Sequence, residues 1–312
     1  MLSFHYICLE TRHDMKTIDI NRYVLSGAGA NGESYDCLDE RDVMLKLYNA
    51  DYPMQTVIDE LEIARKVYSM GVPSPEPGEL VRCGERLGIR FHRIEGKRSF
   101  SRAVADEPER VGEYAREFAV YGKRLHSTVC PEGMFPSQKE LYLRFLDADR
   151  LFDADEHDVM RRFIESMSDD MTAVHGDFHM GNILTTLPKR APMSDPHDIF
   201  FIDVGYFAVG CPLLDVSMLY NICTYADEEF VQKEMHIGRE VARKFWRSFV
   251  DEYFFGPENL GRKWFGEGVT PSEIDEKLIP YVAIKLLLVG FNAGEIPSGY
   301  MPVMKKALKL MA

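Results

Sequence analysis

The stretch "VHGDFHMGNIL", residues 174–184, places a carboxylate, Asp177, and an amide, Asn182, five residues apart in an apolar run. An ionised aspartate only accepts hydrogen bonds, whereas an asparagine is neutral and both donates and accepts. A carboxylate here can take up or orient the proton of an attacking hydroxyl. Downstream, "FFIDVGYFAVGCPLLDVSMLY" ends an apolar strand on Asp203, just before Gly205. A lone buried carboxylate is costly, so a cation is expected to meet it. One carboxylate, one amide oxygen, water and phosphate make a hard oxygen site of the kind Mg²⁺ takes, rather than zinc. Asn182 and Asp203 are the expected metal ligands, with Asp177 near the metal but free of it.

Two earlier motifs suit a nucleotide. Gly27, Gly29 and Gly32 in "GAGANG" fit G-x-G-x-x-G. A dinucleotide-binding fold would need a helix next, but "ESYDCLDERDVMLKLY" reads as a further strand. A glycine loop between antiparallel strands can instead cover phosphates; a plain flexible hairpin is the bland alternative. Lys46, in "VMLKLY", offers an ammonium for the phosphates and needs an anionic partner to aim it; a snorkelling surface lysine is its alternative. The next helix supplies Glu60 and Glu62. Glu60 is preferred, because Ala64 and Val67 share its side of the helix. A rival reading takes His175, Asp177 and His179 as the H-x-D-x-H of a metallohydrolase. It leaves the glycine loop, Lys46, Asn182 and Asp203 without a task, and Gly176 and Gly181 do not suit a regular helix there.

These residues need elements to hold them. Up to about residue 95 the chain reads as strands plus one helix, "MQTVIDELEIARKVYSMG", with Val57, Ile58, Leu61, Ala64, Val67 and Tyr68 at helical spacing and Gly71 as its stop. "GELVRCGERLGIRFHRIEGK" reads as two strands around Gly84-Glu85. From residue 96 the chain turns helical. "DEPERVGEYAREFAVYGKRLHS" opens on Asp106 as a candidate N-cap. "DEHDVMRRFIESM" is a second helix, and "DEEFVQKEMHIGREVARKFWRSFVDEYF" reads as one long amphipathic helix. Between these last two, "GNILTT" and "DIFFID" are short strands joined by a polar loop, Leu187 to Asp198, expected to be exposed and mobile. The expected fold is α+β and two-lobed: an antiparallel-sheet lobe, residues 1–95, and a mostly helical lobe, residues 96–312.

Composition sets outer bounds. The 312 residues carry a net charge of −13, which argues against nucleic acid as the main partner; it is compatible with a cationic small molecule and equally with nothing beyond solubility. "YVAIKLLLVGF" is too short to span a bilayer and contains Lys285. "MLSFHYICLE" lacks the features of a signal peptide, so a cytoplasmic location is expected. Met15 could serve as an alternative start, with residues 1–14 contributing little to catalysis. Six scattered cysteines without C-x-x-C spacing suggest reduced thiols.

Taken in order, the glycine loop, Lys46, Glu60, "HGDFHMGNIL" and "FIDVG" resemble the aminoglycoside phosphotransferase and choline kinase group, which shares the protein-kinase-like fold. "GVPSP" and "FHRIEGK" resemble it too. The resemblance runs from about residue 16 to 250. It implies ATP or GTP as co-substrate, Mg²⁺, and a small-molecule hydroxyl as acceptor: an aminoglycoside, amino alcohol or sugar. It makes Asp177 the catalytic base, Asn182 and Asp203 the Mg²⁺ ligands, and His175 a prop of the catalytic loop. It places a hinge near His92 to Ile94, whose backbone would pair with adenine. Asp215 resembles the group's buried aspartate at a helix start, read here as an N-cap. Protein kinases carry Arg before the catalytic Asp and an A-P-E segment. This chain has Gly176 there and no A-P-E, which favours a small acceptor. A nucleotide-binding regulator without turnover is the alternative. Asp227, Glu228 and Glu229 are candidates for binding a cationic acceptor, with a dipole-matched helix start as the alternative.

Overall fold

The computed structural model describes residues 15–29 and 31–312; the expectation about residues 1–14 lies outside them. Two compact units are present. One holds the described residues up to Gly96 together with Phe200–Gly205, the other Lys97–Ile199 and Tyr206–Ala312.

The first unit is a six-stranded sheet with one helix. Its strands are β1 (Lys16–Thr17), β2 (Tyr23–Gly29), β3 (Gly32–Cys37), β4 (Val43–Tyr48), β5 (Pro77–Cys83) and β6 (Arg86–His92), in the order β1-β5-β6-β4-β3-β2. The sheet is mixed rather than purely antiparallel. Lys16 and Thr17 run parallel to Val81 and Arg82, covering an edge of β5 that would otherwise stand open. Two residues are too few to show any alternation in the sequence. Helix α1 (Met54–Ser69) buries Val57, Glu60, Leu61, Ala64 and Val67, and Val57 and Leu61 pack with Tyr48, Leu87 and Ile89. Tyr68, counted on that stripe, is exposed. Gly71, at φ +76°, turns the chain out of the helix. The Phe201 N–H bonds to the Pro73 carbonyl at 2.8 Å, tying the 200–205 segment into this unit.

The second unit is largely helical. It runs through β7 (Arg98–Ser99), α2 (Phe100–Asp106), α3 (Val111–His126), α4 (Gln138–Ala148), α5 (Ala154–Ser166), β8 (Ala173–Val174), β9 (Ile183–Thr185), the start of β10 (Ile199–Phe201) and β11 (Ala208–Val209). Then follow α6 (Pro212–Thr224), α7 (Glu228–Met235), α8 (Arg239–Phe255), α9 (Leu260–Phe265), α10 (Pro271–Ala293) and α11 (Met301–Met311). Phe118 of α3 meets Phe245 and Phe249 of α8 at 5.5 and 6.0 Å between ring centroids. Two sequence expectations are corrected. Asp106 is the last residue of α2, not an N-cap, and a 3-10 turn at Pro108–Arg110 precedes α3. The expected long helix is two helices, because His236 sits in the left-handed region at φ +61° and Gly238 starts α8 afresh. Among the described residues no helix is long and apolar enough to cross a membrane. The five described cysteines are free.

The loop from Pro188 to Asp198 is largely exposed, but it is tethered. The Arg190 N–H donates to Glu107 at 2.8 Å, Lys189 pairs with Asp106 at 3.4 Å, and His197 meets Glu117 at 2.5 Å. A broad-specificity protease is therefore expected to cut first between residues 191 and 196, where the chain lies between its tethers. Early cleavage within 227–254 would contradict the assignment of these helices to the packed unit.

Candidate active site

In the first unit the glycine motif forms the β2–β3 hairpin, with Gly27 opposite Ser34 and Gly29 opposite Gly32. A Cβ on Gly32 would lie 2.2 Å from the Leu47 carbonyl oxygen, so the sheet itself requires that glycine. At Gly27 and Gly29 an added Cβ would meet only ordinary contacts, at 3.8 and 3.9 Å. Sheet packing does not require these two, and they leave an exposed strand with bare backbone.

Lys46 stands on β4 beside that hairpin. Its ammonium donates to Glu60 Oε1 at 2.6 Å and also to Asp203 Oδ1. Burial works against the charge, but Asp203 and Glu60 together hold its pKa well above the usual lysine value. Glu62 points to solvent. Asp203 adopts φ +56°, a conformation uncommon outside glycine and often found at functional sites. Its side chain is 45% exposed, so it remains reachable. At the expected hinge the His92 N–H is taken by the Glu76 carbonyl (2.8 Å) and the Arg93 N–H by the Asp42 carbonyl (2.7 Å). Strand pairing thus removes the His92 N–H as an adenine donor. The Ile94 N–H has no partner among the described residues.

In the second unit β8 delivers the chain into the loop of residues 175–182. Asp215, fully buried, accepts the His175 N–H at 2.5 Å and the Gly176 N–H at 2.9 Å. The N-cap reading of Asp215 is corrected: Cys211 holds that position, and the Asp215 carboxylate serves the loop rather than its own helix. Behind it lies His126, at 3.2 Å from Asp215 Oδ2, with Tyr253 Oη at 2.6 Å on the far ring nitrogen. Burial opposes the Asp215 charge; the hydrogen bond and charge of His126, then Lys285 and His175, win and lower its pKa. Gly176, at φ +82°, has no room for a side chain, since a Cβ would come within 2.1 Å of the Tyr206 carbonyl oxygen. Phe178 anchors the next turn. It is fully buried against Phe118 at 4.8 Å, and a Cβ on Gly122 would sit 2.8 Å from its ring.

This frame leaves Asp177 29% exposed. Burial pushes its pKa up, yet His179, Lys285 and His175 hold it below the usual carboxylate range. His179 Nε2 lies 3.5 Å from Asp177 Oδ2. The Asn182 amide nitrogen donates to the Asp177 carbonyl at 3.0 Å and to its Oδ2 at 2.9 Å. The Asn182 oxygen therefore turns the other way and has no partner among the described residues, on the amide orientation these bonds assign. Each unit thus offers one oxygen donor of the kind a hard cation takes. The metallohydrolase pattern does not assemble. His175 is fully buried, and its Nδ1 accepts the Asp177 N–H at 3.3 Å. Among the described residues no group of three or more His, Cys, Asp or Glu could hold a metal. Asp227 caps α7 by accepting the Phe230 N–H, and Glu228 accepts the Arg239 N–H; both serve helix ends.

A model of the phosphotransferase enzyme family matches residues 26–247, more than half of the chain. The chain belongs to that family. No curated protein sequence matches it. Among solved structures it is similar to the ADP-bound aminoglycoside phosphotransferase APH(2'')-Ib, with a TM-score of 0.55 at 16% identity over 100% of this chain and 99% of that one. It is also similar to an aminoglycoside-3'-phosphotransferase of type VIII (TM-score 0.53, 19% identity, 92% and 97% covered). A choline/ethanolamine kinase family protein from Mesorhizobium loti gives 0.50 at 17% identity, with 92% and 86% covered. At such identities the likeness establishes the fold, which is kinase-like with a mixed-sheet lobe and a helical lobe.

Sequence reasoning missed His126, the role of Lys285, and Glu107. His126 had a faint signal, one turn past Gly122 on the apolar face of α3. Glu107, whose side chain is 2% exposed, gathers Arg98 at 2.7 Å, Arg110 at 3.0 Å, Tyr114 at 2.7 Å and the Arg190 N–H. These partners come from β7, the 3-10 turn before α3, α3 itself and the loop, and only Arg110 lies close by in the sequence. Burial opposes its charge, but Tyr114, Arg98, the Arg190 backbone and Arg110 lower its pKa to about 2. A depressed carboxylate stabilises the fold above its unfolded pKa of about 4.3 and loses that contribution as pH falls through the folded value. Stability is therefore expected to drop between about pH 5 and pH 2 by on the order of 2–3 kcal/mol through this group. Urea titrations of Glu107→Gln should lack that portion; an unchanged acid limb would contradict the assignment.

Proposed function

We propose that this chain is an ATP- or GTP-dependent phosphotransferase that moves the γ-phosphate to a hydroxyl of a small molecule in the cytoplasm. The observation that carries the reading is the Asp177–Asn182 pair. The amide nitrogen fixes the carboxylate, and the amide oxygen is turned away, available to a cation. Asp177, kept ionised, accepts the acceptor's proton as its oxygen attacks the γ-phosphorus, and the bond from that phosphorus to the β-phosphate oxygen breaks to release the nucleoside diphosphate. Lys46, aimed by Glu60, contacts the nucleotide phosphates over the bare backbone of Gly27 and Gly29. Asn182 and Asp203 would hold Mg²⁺, which when bound would offset the charge that builds on the phosphate oxygens. Ile94 supplies the hinge N–H to the base. His175 and Asp215 keep the loop in place. Most of the rate enhancement comes from positioning and charge neutralisation.

The acceptor is read as an amino alcohol, aminoglycoside or sugar. A net charge of −13 favours a cationic molecule near the protein. Similar folds include aminoglycoside phosphotransferases and a choline/ethanolamine kinase family protein. The test is transfer of label from γ-³²P-ATP to a panel of amino alcohols, sugars, nucleosides and aminoglycosides, with and without Mg²⁺. One class should be labelled, and only with Mg²⁺. Tight nucleotide binding with no transfer to any acceptor would favour a nucleotide-binding regulator instead.

A further inference from the structure

Lys285 is the single charged residue in "YVAIKLLLVGF". It lies on α10, 1% exposed, and Val282, Ala283, Ile284, Leu286 and Leu287 around it are buried as well. Burying an ammonium there is costly by desolvation, and a methionine would fill the space without that cost. The ammonium donates to the Gly176 carbonyl and lies 5.6 Å from the Tyr142 ring centroid. Burial works against its charge, but Tyr142, Asp215 and Asp177 keep it protonated.

The Gly176 carbonyl and the Asp177 N–H belong to one rigid peptide plane. Lys285 holds the oxygen of that plane, and His175 Nδ1 holds its N–H at 3.3 Å. Asp215 holds the preceding N–H, that of Gly176, at 2.9 Å. Gly176 itself has no side chain to limit its torsions, so these contacts and the close Tyr206 carbonyl oxygen set the direction in which Asp177 leaves the backbone. We infer that Lys285 is a positioning residue for phosphoryl transfer, fixing the Gly176–Asp177 peptide so that Asp177 is aimed at the acceptor hydroxyl. This rests on Asp177 being the proton acceptor.

The test compares Lys285→Met with the unaltered protein and with Asp177→Asn, using Mg-ATP and the acceptor labelled in the panel. The expected result is a kcat lower by roughly 10–100-fold with the KM for Mg-ATP within about threefold, because misaiming costs rate rather than nucleotide binding. Thermal melting checks that the variant folds. An unchanged kcat, or kcat and KM lost together, would overturn the inference. If Lys285→Met does not fold, Lys285→Arg, which keeps a charged donor with a different reach, takes its place under the same criteria; failure of both to fold would make Lys285 a residue of the fold alone and overturn the inference. Asp177→Asn separates the two readings. If it retains turnover, the phosphotransferase mechanism fails; if it loses turnover while Lys285→Met keeps it, only the role of Lys285 fails.

Discussion

Asp177→Asn is expected to lower turnover by roughly 10²–10⁴-fold while nucleotide affinity stays within about threefold. The change keeps size and removes the proton acceptor. The Asn182 amide can still donate to the new side-chain oxygen, so the loop should hold its shape. Asp177 is also partly exposed and held ionised by His179, Lys285 and His175, which matches a group that must be charged at the moment of attack. Steady-state kcat with the identified acceptor, beside a nucleotide titration, checks this. Full turnover in the variant would remove Asp177 from the chemistry.

Asp215→Ala should be the most destabilising single truncation at the site, by about 3–6 kcal/mol. It leaves the His175 and Gly176 N–H groups and the His126 ring without their acceptor in a fully buried place, and each orphaned buried donor costs about 1–3 kcal/mol. That is a large share of the stability of an ordinary domain. Urea unfolding measures it. A loss under about 1 kcal/mol would mean that the loop does not depend on this carboxylate.

Much of this was legible in the sequence, where the signal was local. The spacing of Val57, Leu61, Ala64 and Val67 marks α1 and puts Glu60, not Glu62, on the inner side, where Lys46 meets it. Gly84-Glu85 marks the turn between β5 and β6. The unread parts depend on distant partners. The parallel strand at Lys16–Thr17 is two residues long and is defined only by Val81 and Arg82. Asp215 sits in the first turn of a helix and suggests a cap, but its partners lie about forty residues earlier in the chain. Lys285 interrupts an apolar run, and hydropathy alone cannot say which carbonyl it reaches. His236 gives only a weak helix-breaking signal: positive φ is uncommon for any residue but glycine, although histidine adopts it more readily than most.

The division of labour between the two aspartates is tested most directly by measuring ADP affinity with and without Mg²⁺ for the unaltered protein, Asp177→Asn and Asp203→Asn. Asp203→Asn is expected to lose the Mg²⁺-dependent part of binding and to regain some of it at high Mg²⁺. Asp177→Asn is expected to keep that part intact. The opposite pattern, with Mg²⁺-dependent binding lost in Asp177→Asn and kept in Asp203→Asn, would contradict the assignment of base and metal ligand.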